Sequence, residues 1–172
     1  MYGLVLEGGG SRGSYQIGAC KALQELGIEF GAVAGTSIGA LNGAMIVQGQ
    51  LEKAYELWYN ISPSKVFDIE EARLEELKNL EISHDGLLYF MKKAKDIAQS
   101  KGLDITFIKK LLFENIDEKT LRESKMIFGF VTISLSDMKP LELFLRDIPE
   151  GKVVEYLLAS ANLPAFKQEK LD

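Results

Sequence analysis

The amino-acid sequence predicts an α/β fold: a three-layer α/β/α arrangement around a mainly parallel central sheet, carrying a helical insertion. Three observations support this. Short apolar runs of strand length stand at residues 2–6, 31–36 and 126–134. The first two each lead through a glycine-containing turn into an apolar helical pattern, and strands that alternate with helices pair in parallel. Residues of about 64–124 interrupt this alternation with short, charged helical patterns. The core is therefore expected from 1–60 and 125–172, with the insertion between them.

Each element has its own signal. Residues 2–6 (Tyr2 to Leu6) read as a buried strand. Residues 14–26 read as a helix with Ile17, Cys20, Leu23 and Leu26 on one face and Gly27 as its stop. A second strand covers 31–36, and an Ala-rich helix covers 37–49, ending at Gly49. Residues 51–60 place Leu51, Ala54, Leu57 and Trp58 on one side of a helix, and Pro63 breaks the pattern. In the insertion, Asp68 and Glu71 fit a D-x-x-E capping box that opens a helix over 69–80. Residues 86–99 form an amphipathic helix, with Leu87, Phe90, Met91, Ala94 and Ile97 on one face and Lys92, Lys93 and Lys95 mostly opposite. Phe107, Ile108, Leu111 and Leu112 add a further turn or two. The run 126–134 is dense in β-formers and reads as a central strand, with 141–145 as a pairing partner. Residues 150–161 read as a helix, followed by Pro164.

Composition narrows the function. With 172 residues, 47% of them apolar and 26% charged, the chain suits one globular domain with a real core. Its net charge of −5 leaves no basic surplus for phosphates, which argues against a nucleic-acid partner and against strong electrostatic capture by anionic membranes. Cys20 is the one cysteine, so it has no internal disulfide partner and reads as a small core residue. The first strand begins almost at once and no run of about 20 apolar residues exists, so the expectation is a cytoplasmic protein without a signal peptide or a membrane span.

The most informative stretch is Gly35-Thr36-Ser37-Ile38-Gly39, a G-x-S-x-G between a strand and a helix. In that setting the pentapeptide is a nucleophile elbow, a sharp turn that lifts the Ser37 hydroxyl out of the sheet onto a helix tip. Backbone segments approach so closely there that the positions two before and two after the serine must lack side chains, which Gly35 and Gly39 do. Gly8-Gly9-Gly10-Ser11-Arg12-Gly13 occupies the preceding strand-to-helix turn. Such a loop exposes N–H groups that can hold an anion, here the oxyanion of an acyl-transfer intermediate. Consecutive strand-to-helix turns bring both loops to one edge of a parallel sheet.

Rival readings find less support. The glycine loop lacks the Lys-Ser/Thr ending of a phosphate-binding loop, and Gly35-Thr36-Ser37 stands where a ribose-binding acidic residue belongs. His84 is the single histidine, and in the polar stretch Ile82-Ser83-His84-Asp85 it reads as a surface or capping residue rather than a triad base. One histidine and one cysteine leave no zinc-type constellation, and no loop has EF-hand spacing, so no metal or cofactor is expected. The helix at 86–99 reads first as core packing, with a lipid-facing lid as its alternative.

With the two loops in this order, followed by Ala159-Ser160-Ala161-Asn162-Leu163-Pro164-Ala165-Phe166, the chain resembles the patatin-like phospholipases over nearly its whole length. The resemblance implies a patatin-like fold and lipid acyl hydrolysis by a serine–aspartate dyad without histidine. On that reading Ser37 is the nucleophile. Gly8, Gly9, Gly10, Ser11, Arg12 and Gly13 form the oxyanion hole, Arg12 fixing the loop or adding positive charge. Gly35, Thr36, Ile38 and Gly39 complete the elbow. A phospholipid or other lipid ester is the implied substrate, reached by peripheral membrane contact.

The chain departs from the family pattern at the aspartate. The family's Asp-Gly-Gly or Asp-Gly-Ala motif belongs soon after the proline segment, whereas this sequence stops at Asp172. The motif is expected downstream in a longer parent protein, leaving Ser37 here without its base. Asp85-Gly86 comes too early in the chain for that role, and Asp172 would fill it only by coincidence. Two other functions stay open at this stage: acyl transfer from a thioester carrier, as in malonyl transacylases, and a non-catalytic domain that binds a lipid or a partner.

Overall fold

Strand β1 (Tyr2–Leu6) and strand β2 (Phe30–Thr36) pair in parallel, and β2 pairs in parallel with β3 (Ile127–Ser134). Strand β4 (Lys139–Phe144) returns antiparallel beside β3, giving a four-stranded sheet in the order β1-β2-β3-β4. The fold is therefore α/β with a mainly parallel sheet, as the apolar runs predict. The computed structural model describes residues 1–62, 64, 66, 69–99, 105–134 and 136–161. Pro63, Asp68, Asn162 to Phe166 and Asp172, all invoked above, lie outside them.

The described residues divide into two compact units, one of residues 1–60 with 111–161 and one of residues between 61 and 110. The first holds the sheet. Helix α1 (Gly13–Glu25) links β1 to β2, and helices α2 (Ile38–Val47) and α3 (Leu51–Asn60) follow β2. Helix α2 lies against β1, β2 and β3, and α1 and α3 pack on α2 and on each other. This makes α2 the central helix, and every residue from Gly39 to Val47 is buried. A helix buried on all sides is apolar nearly all round, and Asn42 is the polar exception in α2. Its small residues let the sheet come close: a Cβ added at Gly43 would stand 3.0 Å from Phe128 and 3.1 Å from Val33. Glycines with positive φ, Gly27 and Gly49, follow α1 and α2 and allow the chain to turn away there.

Register assigns the two faces of the sheet. Leu4, Val33 and Phe128 align across it, as do Leu6, Gly35, Phe130 and Leu143, and these rows face α2. The opposite face presents Val5, 80% exposed, and Ile127 and Ile133, each 62% exposed. Parallel strands laid down one after another in the same direction by right-handed crossovers carry their helices on one face. A third layer on the other face is not among the described residues.

Residues 111–124, read from the sequence as the end of the insertion, group with the first unit. Helix α6 (Thr106–Asn115) ends there, and helix α7 (Glu118–Glu123) was not signalled by any sequence pattern. Their links to the core are polar and specific. The buried Gln48 donates to the Asn115 carbonyl at 2.7 Å and accepts from Asp117 N–H at 3.1 Å. Arg122 donates to the carbonyls of Leu145 and Ile148. Glu118 accepts from the N–H groups of Gly151 and Val153, which open helix α8 (Val153–Ala161). Leu121 of α7 is fully buried.

The second unit contains helices α4 (Glu71–Asn79) and α5 (His84–Gln99). Helix α4 starts at Glu71, two residues after the predicted 69, with Glu70 at its N-cap and no side-chain hydrogen bond there, so Glu71 does not take the third-position role of the predicted capping box. Helix α5 corrects one expectation. Its predicted apolar face is split, with Phe90 and Ile97 half-buried but Leu87, Met91 and Ala94 exposed. Leu26 is likewise exposed, because α1 ends at Glu25 before reaching it. Cys20 is buried as predicted, and burial pushes its thiol pKa up.

Candidate active site

The chain turns sharply at Ser37, with φ 54° and ψ −126°, a combination that non-glycine residues rarely adopt. Its carbonyl accepts from the N–H groups of Ala40 and Leu41, so the helix starts on the serine itself. The flanking glycines answer to space. A Cβ at Gly35 would run into the backbone of Gly39, and one at Gly39 into the carbonyls of Leu6 and Glu7 at the end of β1. Thr36 is the last β2 residue in register with β3, opposite Val131, and Ile38 packs over the start of α1, where a Cβ at Gly13 would meet it at 2.5 Å. The Ser37 side chain is half-buried and makes no hydrogen bond among the described residues.

The glycine loop lies directly beside this turn. A Cβ at Gly8 would stand 3.4 Å from Ser37 Cβ and 3.6 Å from the Thr36 carbonyl oxygen. Gly10, Ser11 and Arg12 form a short 3-10 turn, with Arg12 N–H bonded to the Gly9 carbonyl. The N–H groups of Gly9, Gly10 and Ser11 donate to no group among the described residues. Residues 8–12 are exposed and Gly13 is buried. The Arg12 side chain folds against Gly9. Neither α1 nor α2 carries an acidic residue in its first turn, so no carboxylate there offsets the positive ends of the two helix dipoles. An exposed loop of free donors between two helix N-termini is suited to holding an anion.

Two polar groups that sequence reasoning passed over hold this arrangement. Asn42, 3% exposed on α2, donates to the Gly13 carbonyl at 2.9 Å and to Gln16 Oε1 at 3.0 Å, and its own Oδ1 accepts from Trp58 Nε1 at 2.9 Å. Gln16 in turn donates to the Glu7 carbonyl at 2.8 Å. Both ends of the glycine loop are thereby tied to α2. On the other side, Ser160 of α8 accepts from Ser37 N–H at 2.9 Å and donates to the Val131 carbonyl at 2.6 Å. The sequence does carry a faint signal for both. Each is an isolated polar residue in an apolar helical run, and a buried polar group finds a partner.

The remaining candidates stand elsewhere. His84 and Asp85 open α5 in the second unit, 83% exposed and 3.8 Å from each other. Among the described residues no three His, Cys, Asp or Glu side chains gather as a metal site, and no helix is long and apolar enough to cross a membrane.

Known proteins resemble this chain in sequence and in fold. The chain is 60% identical over 43 residues, 25% of its length, to lysophospholipase nte1 of Aspergillus terreus and equally to neuropathy target esterase sws of Drosophila persimilis. That stretch spans only 3% of those far longer proteins. The fold resembles VipD from Legionella pneumophila, with a TM-score of 0.59 at 16% identity, covering 95% of this chain and 42% of that one. Residues 4–170 match the patatin-like phospholipase family, and the chain belongs to it.

Proposed function

We propose that this chain is the acyl-hydrolase part of a serine-dependent lipid esterase, acting on phospholipids or lysophospholipids through a serine–aspartate dyad. Membership of the patatin-like phospholipases supports the reaction class. The observation that carries the assignment of residues is the contact of Gly8 with Ser37, which sets free loop N–H groups beside a serine on a strained turn.

On this reading the ester carbonyl oxygen lies against the N–H groups of Gly9, Gly10 and Ser11. Ser37 Oγ attacks the carbonyl carbon while its proton passes to the aspartate, which we place outside this chain. The tetrahedral oxyanion is held by the loop, each donor contributing about 3–4 kcal/mol in the transition state. Collapse expels the alcohol or lysolipid with the aspartate's proton and leaves an acyl-serine. Water, deprotonated by the same aspartate, then releases the fatty acid and restores Ser37. The exposed Leu87, Leu88 and Met91 beside Lys92 and Lys95 on α5 support peripheral contact with a lipid surface.

The test is intact-mass labelling with an alkyl fluorophosphonate. One adduct that vanishes in Ser37→Ala is the expected result, in the 172-residue chain or in one extended through the downstream Asp-Gly motif. A folded, extended chain that takes no adduct overturns the hydrolase reading.

A further inference from the structure

Ser160 bridges Ser37 and Val131 just where the β2–β3 ladder ends. The parallel register of β2 with β3 ends at Thr36 opposite Val131. One residue on, the chain turns into the elbow and Ser37 N–H leaves the ladder. The Ser160 hydroxyl fills the gap, donating to the Val131 carbonyl at 2.6 Å and accepting from Ser37 N–H at 2.9 Å. A hydroxyl can do both at once because it has one proton and two lone pairs. The bridge comes from α8, which packs on both β3 and α2.

We infer that Ser160 is a positioning residue for the nucleophile, holding Ser37 in its positive-φ conformation and committing the Ser37 N–H to structure. The inference rests on the reading of Ser37 as nucleophile. It follows that the oxyanion is held by the N–H groups of the glycine loop, because Ser37 N–H is already engaged. Without the hydroxyl, both Ser37 N–H and the Val131 carbonyl lose their partner. A turn at φ 54° has easier conformations to relax into. Such relaxation moves Oγ relative to the loop while leaving the surface that meets the lipid intact.

The experiment compares wild type, Ser160→Ala and Ser160→Thr in fluorophosphonate labelling, in the form of the protein that takes the label. Misplacing a reacting atom by about 1 Å costs roughly a hundredfold. Ser160→Ala is accordingly expected to lower the maximal labelling rate by about 10- to 100-fold, with the reagent's half-saturating concentration changed less than about twofold. Ser160→Thr, which restores the hydroxyl, should recover the rate to within about threefold. Amide hydrogen exchange at Ser37 reads the bridge without any chemistry: it should speed up by about tenfold or more in Ser160→Ala and not in Ser160→Thr. Unchanged exchange in Ser160→Ala, or labelling at the wild-type rate, overturns the inference. Failure of wild type to label while exchange responds as expected counts against the nucleophile reading alone. A Ser160→Ala chain that does not fold is replaced by Ser160→Cys, whose weaker donor should give an intermediate rate and exchange.

Discussion

Asn42 Nδ2 stands 2.9 Å from the carbonyl oxygen of Gly13, so the helix behind Ser37 also fixes the end of the glycine loop. The same side chain accepts from Trp58 and donates to Gln16, so its removal leaves several polar groups unpaired in a buried setting. Asn42→Ala should cost about 2–3 kcal/mol in urea unfolding, the range for orphaned buried hydrogen-bonding groups. Labelling of Ser37 should fall more than stability alone explains, measured well below the unfolding midpoint.

Glycines of this chain differ in what they forbid. At Gly39 a methyl group would overlap the Leu6 and Glu7 carbonyls, which are backbone and cannot turn aside. Gly39→Ala should therefore destabilise by more than about 4 kcal/mol or prevent folding, as read by circular dichroism. Gly18, inside α1, has open space where its Cβ would go. Gly18→Ala should raise stability by about 0.5–1 kcal/mol, the usual gain of alanine over glycine in a helix interior.

Glu118 links folding to pH. Burial raises its pKa, but the hydrogen bond from Arg122 and those from the N–H groups of Gly151 and Val153 outweigh it, so the net shift is downward. A carboxyl whose folded pKa is depressed contributes stability above its unfolded pKa and loses it as pH falls through the folded value. Thermal melts should show wild type losing stability below about pH 4.3 more steeply than Glu118→Gln. At neutral pH Glu118→Gln should melt lower, and the two curves should converge in acid.

His84 separates the dyad from a serine–histidine mechanism. It is exposed in the second unit and opens α5 beside Asp85. His84→Ala should label at Ser37 within about twofold of wild type, whereas loss of a true general base costs about 100-fold or more.

The parallel core was legible because its strands are apolar runs, the first two closed by glycine turns, and β1, β2 and β3 begin and end within a residue of where those runs do. The elbow and the loop were legible for a related reason: both depend on the absence of side chains, which a sequence records directly. Asn42 and Ser160 escaped because their partners lie far along the chain, 123 residues away for Ser160 and Ser37. Nothing local tells which polar residue of an apolar helix will meet one. Helix α7 was missed because its six residues are too few for a period, and its cap, Asp117 accepting from the N–H groups of Lys119 and Thr120, is recognisable only once the turn exists. Periodicity located α5 but not how much of its stripe is covered, hence the exposed Leu87 and Met91.

The backbone angle at Ser37 sets the residue proposed for chemistry against the one best suited to folding. Glycine tolerates φ 54° where serine is held there at a cost of about 1–3 kcal/mol. Ser37→Gly is thus expected to make the protein sturdier and, on the proposed reading of Ser37 as nucleophile, to abolish its labelling by fluorophosphonate.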